Sequence, residues 1–146
     1  MIEALRAPGL DYALCGGFAL AAYGIVRATE DINLMVEESD LERLRDIVQP
    51  MGFWLQAQPL VFKDGQIRIF RLVKTEPASP DFLILDALTV TPATKPAWES
   101  RRSVETEFGQ VSVISPRGLI ELKTLRGSGQ DLDDIEKLRK YERGES

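Results

Sequence analysis

The chain contains no histidine and only one cysteine among its 146 residues. The lack of histidine excludes histidine-based catalytic triads, general bases and zinc ligands. Cys15 has no partner for a disulfide within the chain, and its place beside Gly16 after an apolar run predicts a small buried side chain rather than a nucleophile. The sequence also lacks a signal peptide and an apolar run long enough to span a bilayer. We therefore expect a cytoplasmic protein without a membrane partner.

Positive charge is in the minority, with 18 Lys and Arg residues against 23 Asp and Glu residues and a net charge of −5. This balance argues against a protein that coats nucleic acid by charge alone, although it does not exclude an RNA end as substrate. The hydrophobic content of 44% and the charged content of 28% are typical of a globular protein. The length predicts a single domain over residues 1–146 that buries a core without disulfides.

The segment Leu14–Val36 combines two features that are typical of a phosphate and metal site. The pair Gly16–Gly17 precedes the helix-forming stretch F-A-L-A-A-Y-G, so its backbone N–H groups can face an anion without an intervening side chain. Asp31 and Asn33 lie two residues apart on a predicted strand and therefore share one face. Carboxylate and amide oxygens are ligands that Mg²⁺ accepts. A phosphate-binding turn beside a metal-binding strand is the expectation.

Hydrophobic periodicity predicts an α+β fold in which helices pack on one side of a mixed central β-sheet. The predicted helices are a short one at Met1–Leu5, one at Phe18–Gly24, one opened by a capping box of Ser39 and Glu42, one after the N-cap Ser115, and a last one with Leu132, Ile135 and Leu138. The predicted strands are Tyr12–Cys15, Asp31–Val36, Phe53–Leu55, Leu60–Phe62, Ile67–Val73, Phe82–Val90, Val104–Phe108 and Val111–Ile114.

Two aspartates are candidates for a third carboxylate. Asp86 interrupts the apolar run F-L-I-L-D-A-L-T-V, where an ionised side chain costs several kcal/mol unless it is paired, bound to a metal or facing a polar cavity. Asp81 follows Pro80 at the edge of a loop, where turn chemistry alone explains an acidic residue. We favour Asp86 and keep Asp81 as the alternative.

The motif G-G-x-A at Gly16–Ala19, followed by R-A-T-x-D-x-N at Arg27–Asn33, resembles the nucleotidyltransferase superfamily with a palm of the DNA-polymerase-β type. More closely, it is similar to the small bacterial nucleotidyltransferases of the abortive-infection toxin type and their minimal relatives. Ser115–Leu138 resembles the closing helices of that family. The resemblance implies transfer of a nucleoside monophosphate from a nucleoside triphosphate (NTP) to a hydroxyl of RNA or protein, with Mg²⁺ or Mn²⁺, within a toxin–antitoxin pair.

The same resemblance assigns roles to individual residues. Asp31 and Asp86 would be the catalytic carboxylates and would bind the metal together with Asn33. For Lys123, snorkelling from a packed helix is the competing interpretation, and the acidic residues Asp131, Asp133 and Asp134 are expected to stabilise a helix dipole. The nucleotide would be bound by Gly16, Gly17, Arg27, Thr29 and Lys123.

One position departs from the family pattern. Asn33 stands where the family places its second metal-binding aspartate, and an amide offers one carbonyl oxygen without a negative charge. The alternative function is therefore a catalytically impaired module, antitoxin-like, that binds a nucleotide or a protein partner.

Overall fold

The computed structural model describes residues 10–25, 31–56, 58–75, 82–106, 109–126 and 129–144. The helix predicted at Met1–Leu5 and the candidate residues Arg27, Thr29 and Asp81 lie outside these ranges. The described strands are β1 (Tyr12–Leu14), β2 (Ile32–Val36), β3 (Trp54–Leu55), β4 (Leu60–Phe62), β5 (Ile67–Thr75), β6 (Phe82–Thr89), β7 (Arg102–Thr106) and β8 (Gly109–Val113). The described α-helices are α1 (Gly17–Ala22), α2 (Leu41–Val48), α3 (Lys95–Glu99), α4 (Pro116–Arg126) and α5 (Gly129–Glu142).

The strands form one mixed sheet in the order β3-β5-β6-β2-β1-β8-β7, with β4 also paired to β5. The pairs β2–β6 and β1–β8 are parallel, and the other pairs are antiparallel. This arrangement confirms the predicted α+β fold with a mixed central sheet packed by helices. The chain returns to the middle of the sheet at β6, between β5 and β2.

The two central strands are apolar because the sheet buries them. Leu34, Met35 and Val36 of β2 are fully buried, and Leu85 and Ala87 of β6 are buried beside them. Strands covered on both faces read as continuous hydrophobic runs rather than as alternating ones, which explains the pattern in the buried middle of β6, whereas Leu83 near its start is exposed. A charged residue inside such a strand needs a compensating partner.

Of the two helix N-caps predicted at Ser115 and Ser39, the structure contains only the first. The Ser115 hydroxyl accepts a hydrogen bond of 3.0 Å from the backbone N–H of Gly118, as its predicted N-cap role requires. The capping box predicted at Ser39 is wrong, because a 3₁₀ turn at Glu38–Asp40 precedes α2 and the N-cap makes no side-chain hydrogen bond. Within the described ranges, no helix is both long and apolar enough to cross a membrane.

Candidate functional site

The register of the two parallel central strands places two of the predicted site residues side by side. Asn33 of β2 is the direct partner of Asp86 on β6. Residues paired in this way project to the same face of a sheet. Asp86 is buried, whereas Asn33 and Asp31 are partly exposed. Strand pairing therefore brings Asn33 and Asp86 together, and Asp31, which directly precedes β2, lines the same cleft.

Gly16 is required because the side chain of Asn33 lies against it. The backbone N–H of Cys15 donates a 3.0 Å hydrogen bond to the carbonyl of Asn33, which draws the glycine turn onto β2. A β-carbon at position 16 would lie 2.7 Å from Cγ of Asn33 and closer still to its Cβ and Nδ2. Gly16 is the N-cap of α1, which begins at Gly17, one residue before the helix predicted at Phe18–Gly24. The glycine pair thus lines the cleft directly beside the D-x-N pair.

Sequence reasoning missed the residue that binds Asp86 most closely. Arg71 of β5 is the cross-strand partner of Asp86, and its guanidinium forms a bidentate contact with the carboxylate through two hydrogen bonds. Nε donates to Oδ1 at 2.9 Å, and a terminal nitrogen donates to Oδ2 at 3.0 Å. The hydrogen bond to Asp86 raises the pKa of Arg71, and the negative charges of Asp86 and Asp31 act in the same direction. The buried carboxylate on β6 is therefore compensated by an arginine of the same chain.

Lys123 lies in the cleft wall, but its ammonium group is held by the last helix. Nζ lies 3.1 Å from Oδ2 of Asp134 and 3.5 Å from Oδ1 of Asp131, and the lysine side chain is only 7% exposed. Arg126 adds a 3.6 Å contact to Asp131. Asp131 and Asp134 are thus buried counterions that join α5 to α4, beyond the helix-dipole role predicted from sequence, whereas Asp133 pairs on the surface with Lys137. Contact of Lys123 with a phosphate stays a prediction.

A cleft of about 490 Å³ contains the candidate residues. Its lining combines apolar side chains of β4 and β5 with charged groups, among which are four cations and three carboxylates. Such a lining suits a ligand with an anionic part and a flat apolar part. The residues lining it are Gly16, Gly17, Asp31, Asn33, Leu60, Phe62, Lys63, Ile67, Ile69, Arg71, Asp86, Lys123, Arg126 and Asp131.

Cys15 does not contribute a nucleophile to this cleft. Burial raises the pKa of the Cys15 thiol to about 12, although the positive charges of Lys123 and Arg126 oppose the shift. The group is a neutral thiol at physiological pH. This agrees with the expectation of a small packing residue.

The arrangement does not fit a divalent metal centre of the family's type. Such a centre is built from carboxylates that bridge the cations. Here Asn33 supplies a neutral amide, and both oxygens of Asp86 accept hydrogen bonds from Arg71. Within the part of the chain that the structure describes, no three acidic or thiol side chains form a cluster that could hold a metal. Binding of Mg²⁺ or Mn²⁺ by Asp31, Asn33 and Asp86 stays a prediction, and the chemistry below does not use it.

No protein-family model matches the sequence, and no curated protein matches it either. Solved structures with a similar fold do exist. TM1012 from Thermotoga maritima, a candidate nucleotidyltransferase, aligns over 98% of this chain and 88% of its own, with 13% identity and a TM-score of 0.62. A nucleotidyltransferase-like antigen from Paracoccidioides brasiliensis aligns over 94% and 71%, with 21% identity and a TM-score of 0.60.

Two further similar structures were solved with small molecules bound. The lincosamide adenylyltransferase LnuA, with lincomycin, aligns over 95% of this chain and 92% of its own, with 14% identity and a TM-score of 0.59. ANT(2")-Ia, in complex with adenylyl-2"-tobramycin, aligns over 97% and 90%, with 13% identity and a TM-score of 0.58. The chain therefore has the nucleotidyltransferase fold that the sequence motif predicts.

Proposed function

We propose that the chain binds an NTP in the cleft and transfers its nucleotidyl group to a hydroxyl. One observation carries this proposal: a single cleft, in a nucleotidyltransferase fold, contains the glycine pair Gly16–Gly17 together with Asp31, Asn33 and Asp86. These residues come from three separate stretches of sequence, and only the strand pairing and the glycine turn bring them together. A concave pocket in which several polar groups converge is the first place to expect a binding or active site.

The charged groups of the cleft suit a triphosphate. Lys63, Arg71 and Arg126 are among its lining residues, and guanidinium groups are good partners for phosphate oxygens. The apolar side chains of Leu60 and Phe62 offer a surface for a nucleobase. We assign the triphosphate to the glycine turn and the cations, and the base to these two residues of β4.

The transfer step needs a group that takes the proton of the acceptor. In the proposed step, the acceptor oxygen forms a bond to the α-phosphorus while the bond from that phosphorus to the bridging oxygen breaks, and pyrophosphate leaves. The proton of the acceptor hydroxyl passes to the carboxylate of Asp86, which keeps free lone pairs beside its two bonds to Arg71. Asp31 and the backbone of Gly16–Gly17 position the nucleotide.

The acceptor class follows from two separate similarities. The sequence motif resembles small bacterial enzymes of toxin–antitoxin pairs, which favours a hydroxyl of RNA or protein. LnuA and ANT(2")-Ia were solved with lincomycin and with an adenylylated aminoglycoside, which favours a small polyhydroxylated molecule. We propose an RNA or protein acceptor in a toxin–antitoxin pair, and the transfer assay includes both classes.

Binding is tested first. Each of the four NTPs, with and without Mg²⁺, is added to the protein in a thermal unfolding experiment, because a ligand that binds only the folded state raises the midpoint. Asp31→Asn should change the shift, whereas Asp46→Asn, an exposed carboxylate on α2, should not. An unchanged midpoint with all four nucleotides, together with silent calorimetric titrations, would remove the proposal.

A catalytically impaired binding module is the second candidate function. The observation that favours it is the pair of changes at the centre of the site: an amide at Asn33 and a guanidinium bound across Asp86. Because both oxygens of Asp86 accept hydrogen bonds from Arg71, fewer of its lone pairs are left for the proton of an acceptor hydroxyl. Incubation with α-labelled NTP and acceptor separates the two functions, since binding without release of pyrophosphate supports the module and labelled acceptor supports the transferase.

A further inference from the structure

We propose that Arg71 takes the place of a divalent cation in this cleft, so that the chain binds nucleotide phosphates without metal. The inference deepens the proposed function and depends on nucleotide binding in the cleft. Its starting point is the position of the guanidinium, which donates hydrogen bonds to both oxygens of Asp86. Arg71 lies on β5, which pairs with β6, and β6 in turn pairs with β2, the strand that carries Asn33. A cation shared by carboxylates of this face would occupy that same region.

The donors of Arg71 allow this role. A guanidinium has five N–H donors, and the bonds to Asp86 use two of them. The Arg71 side chain is 37% exposed and lines the cleft, so an anion that enters the cleft can approach its guanidinium. Asp86 fixes the orientation of the group, which lowers the entropic cost of binding an anion. Arg71 is thus a pre-oriented phosphate ligand.

The charges of the site point the same way. A centre made of three carboxylates repels an incoming phosphate and therefore needs metal cations to bind it. In this chain the neutral Asn33 removes one negative charge, and Arg71 compensates a second one. The charge of Asp31 acts on the same guanidinium, and Lys63, Lys123 and Arg126 line the cleft as well. A phosphate can bind in such a site without a metal ion, whereas a free divalent cation finds little electrostatic attraction there.

A matched control lies on the same strand. Arg68 has nearly the same exposure as Arg71, 36%, and forms an ion pair of 3.2 Å with the exposed Glu38. The two arginines are three positions apart, so their side chains leave opposite faces of β5. Arg68 is not among the residues that line the cleft. Loss of Arg68 therefore reproduces the change in net charge without changing the site.

The first experiment measures nucleotide affinity by calorimetry, with ATP, GTP, CTP and UTP in EDTA and then in excess Mg²⁺. For the wild-type protein we expect the preferred NTP to bind in EDTA at least as tightly as in Mg²⁺. Arg71→Met should weaken binding in EDTA by about tenfold or more, as expected for the loss of charged hydrogen bonds, and Arg68→Met should leave it unchanged. Arg71→Lys keeps the charge and loses the fork, so it should give an intermediate affinity.

Each outcome separates the two proposals. Binding that requires Mg²⁺ would overturn the metal-free inference and leave the proposed function standing. Unchanged affinity in both Arg71 variants would also overturn it. Binding of no nucleotide under either condition would overturn the proposed function and the inference with it.

The second experiment asks about the metal alone. The electron paramagnetic resonance signal of free Mn²⁺ should persist when wild-type protein is added, because both oxygens of Asp86, which would otherwise bind the ion, accept hydrogen bonds from Arg71. The double variant Asn33→Asp/Arg71→Met restores one carboxylate and frees another, so it should reduce the signal by binding Mn²⁺. Equal binding of Mn²⁺ by the wild-type protein and the double variant would refute the substitution of metal by arginine.

Discussion

Replacement of Lys123 by methionine tests what this buried cation does. Methionine keeps most of the apolar stem and removes the ammonium group, which leaves Asp131 and Asp134 without their lysine counterion. Both carboxylates are almost fully buried, and breaking a buried ion pair from one side typically costs about 3–5 kcal/mol of unfolding free energy. At roughly 2–4 °C per kcal/mol for a domain of this size, we expect the Tm to fall by roughly 6–20 °C.

The assay is chemical and thermal unfolding monitored by circular dichroism, with Lys137→Met as the control. Lys137 lies on α5 and pairs with Asp133 at 3.4 Å, but both side chains are exposed, so this substitution should cost about 0–1 kcal/mol. A Lys123→Met protein as stable as the Lys137→Met protein would refute the buried-pair argument. If Lys123→Met instead abolished nucleotide binding at an unchanged Tm, Lys123 would be a phosphate ligand, as the sequence resemblance implies.

Three more predictions concern single contacts. Arg71→Met should lower the free energy of unfolding by about 1–3 kcal/mol more than Asp86→Asn, because a lone guanidinium at this position reaches solvent while a lone buried carboxylate does not; equal losses would contradict this. Gly16→Ala should cost about 1–3 kcal/mol in urea unfolding, since the new β-carbon overlaps the facing amide. Tyr23→Phe should cost about 1 kcal/mol, because the Tyr23 hydroxyl donates a 2.8 Å hydrogen bond to the buried carbonyl of Ile114. Burial raises the pKa of Tyr23 above its ordinary value of 10, so its stabilising contribution is complete below pH 10 and is lost as the pH rises beyond; Tyr23→Phe should remove that loss.

Local patterns predict much of the fold and part of the site. The glycine turn, the D-x-N strand and the central strand with Asp86 are each visible within a few residues, because backbone freedom, side-chain alternation and the cost of a buried charge are local properties. Their union in one cleft follows from the resemblance, which supplied the partner strand that periodicity cannot identify. The pairing of Asn33 with Asp86 then appears in the strand register.

Two sets of contacts in the site could not be predicted from the sequence: the pairing of Arg71 with Asp86 and that of Lys123 with its counterions. Arg71 meets Asp86 only through the register of β5 on β6, and a shift by one residue would turn the arginine to the opposite face. Lys123 finds its counterions through the packing of α4 against α5. Both contacts depend on tertiary geometry, for which spacing within a segment gives no signal.

The close contact between Gly16 and Asn33 restricts how this site can change. Asparagine and aspartate have the same shape, so an exchange between them at position 33 alters charge and leaves the packing against the glycine turn intact. A larger residue at position 33 would instead press on the turn and displace the start of α1. Asn33 therefore keeps the outline of a carboxylate while carrying none of its charge. A single nucleotide change in the codon converts one residue into the other, and the packing against the glycine turn is compatible with either one.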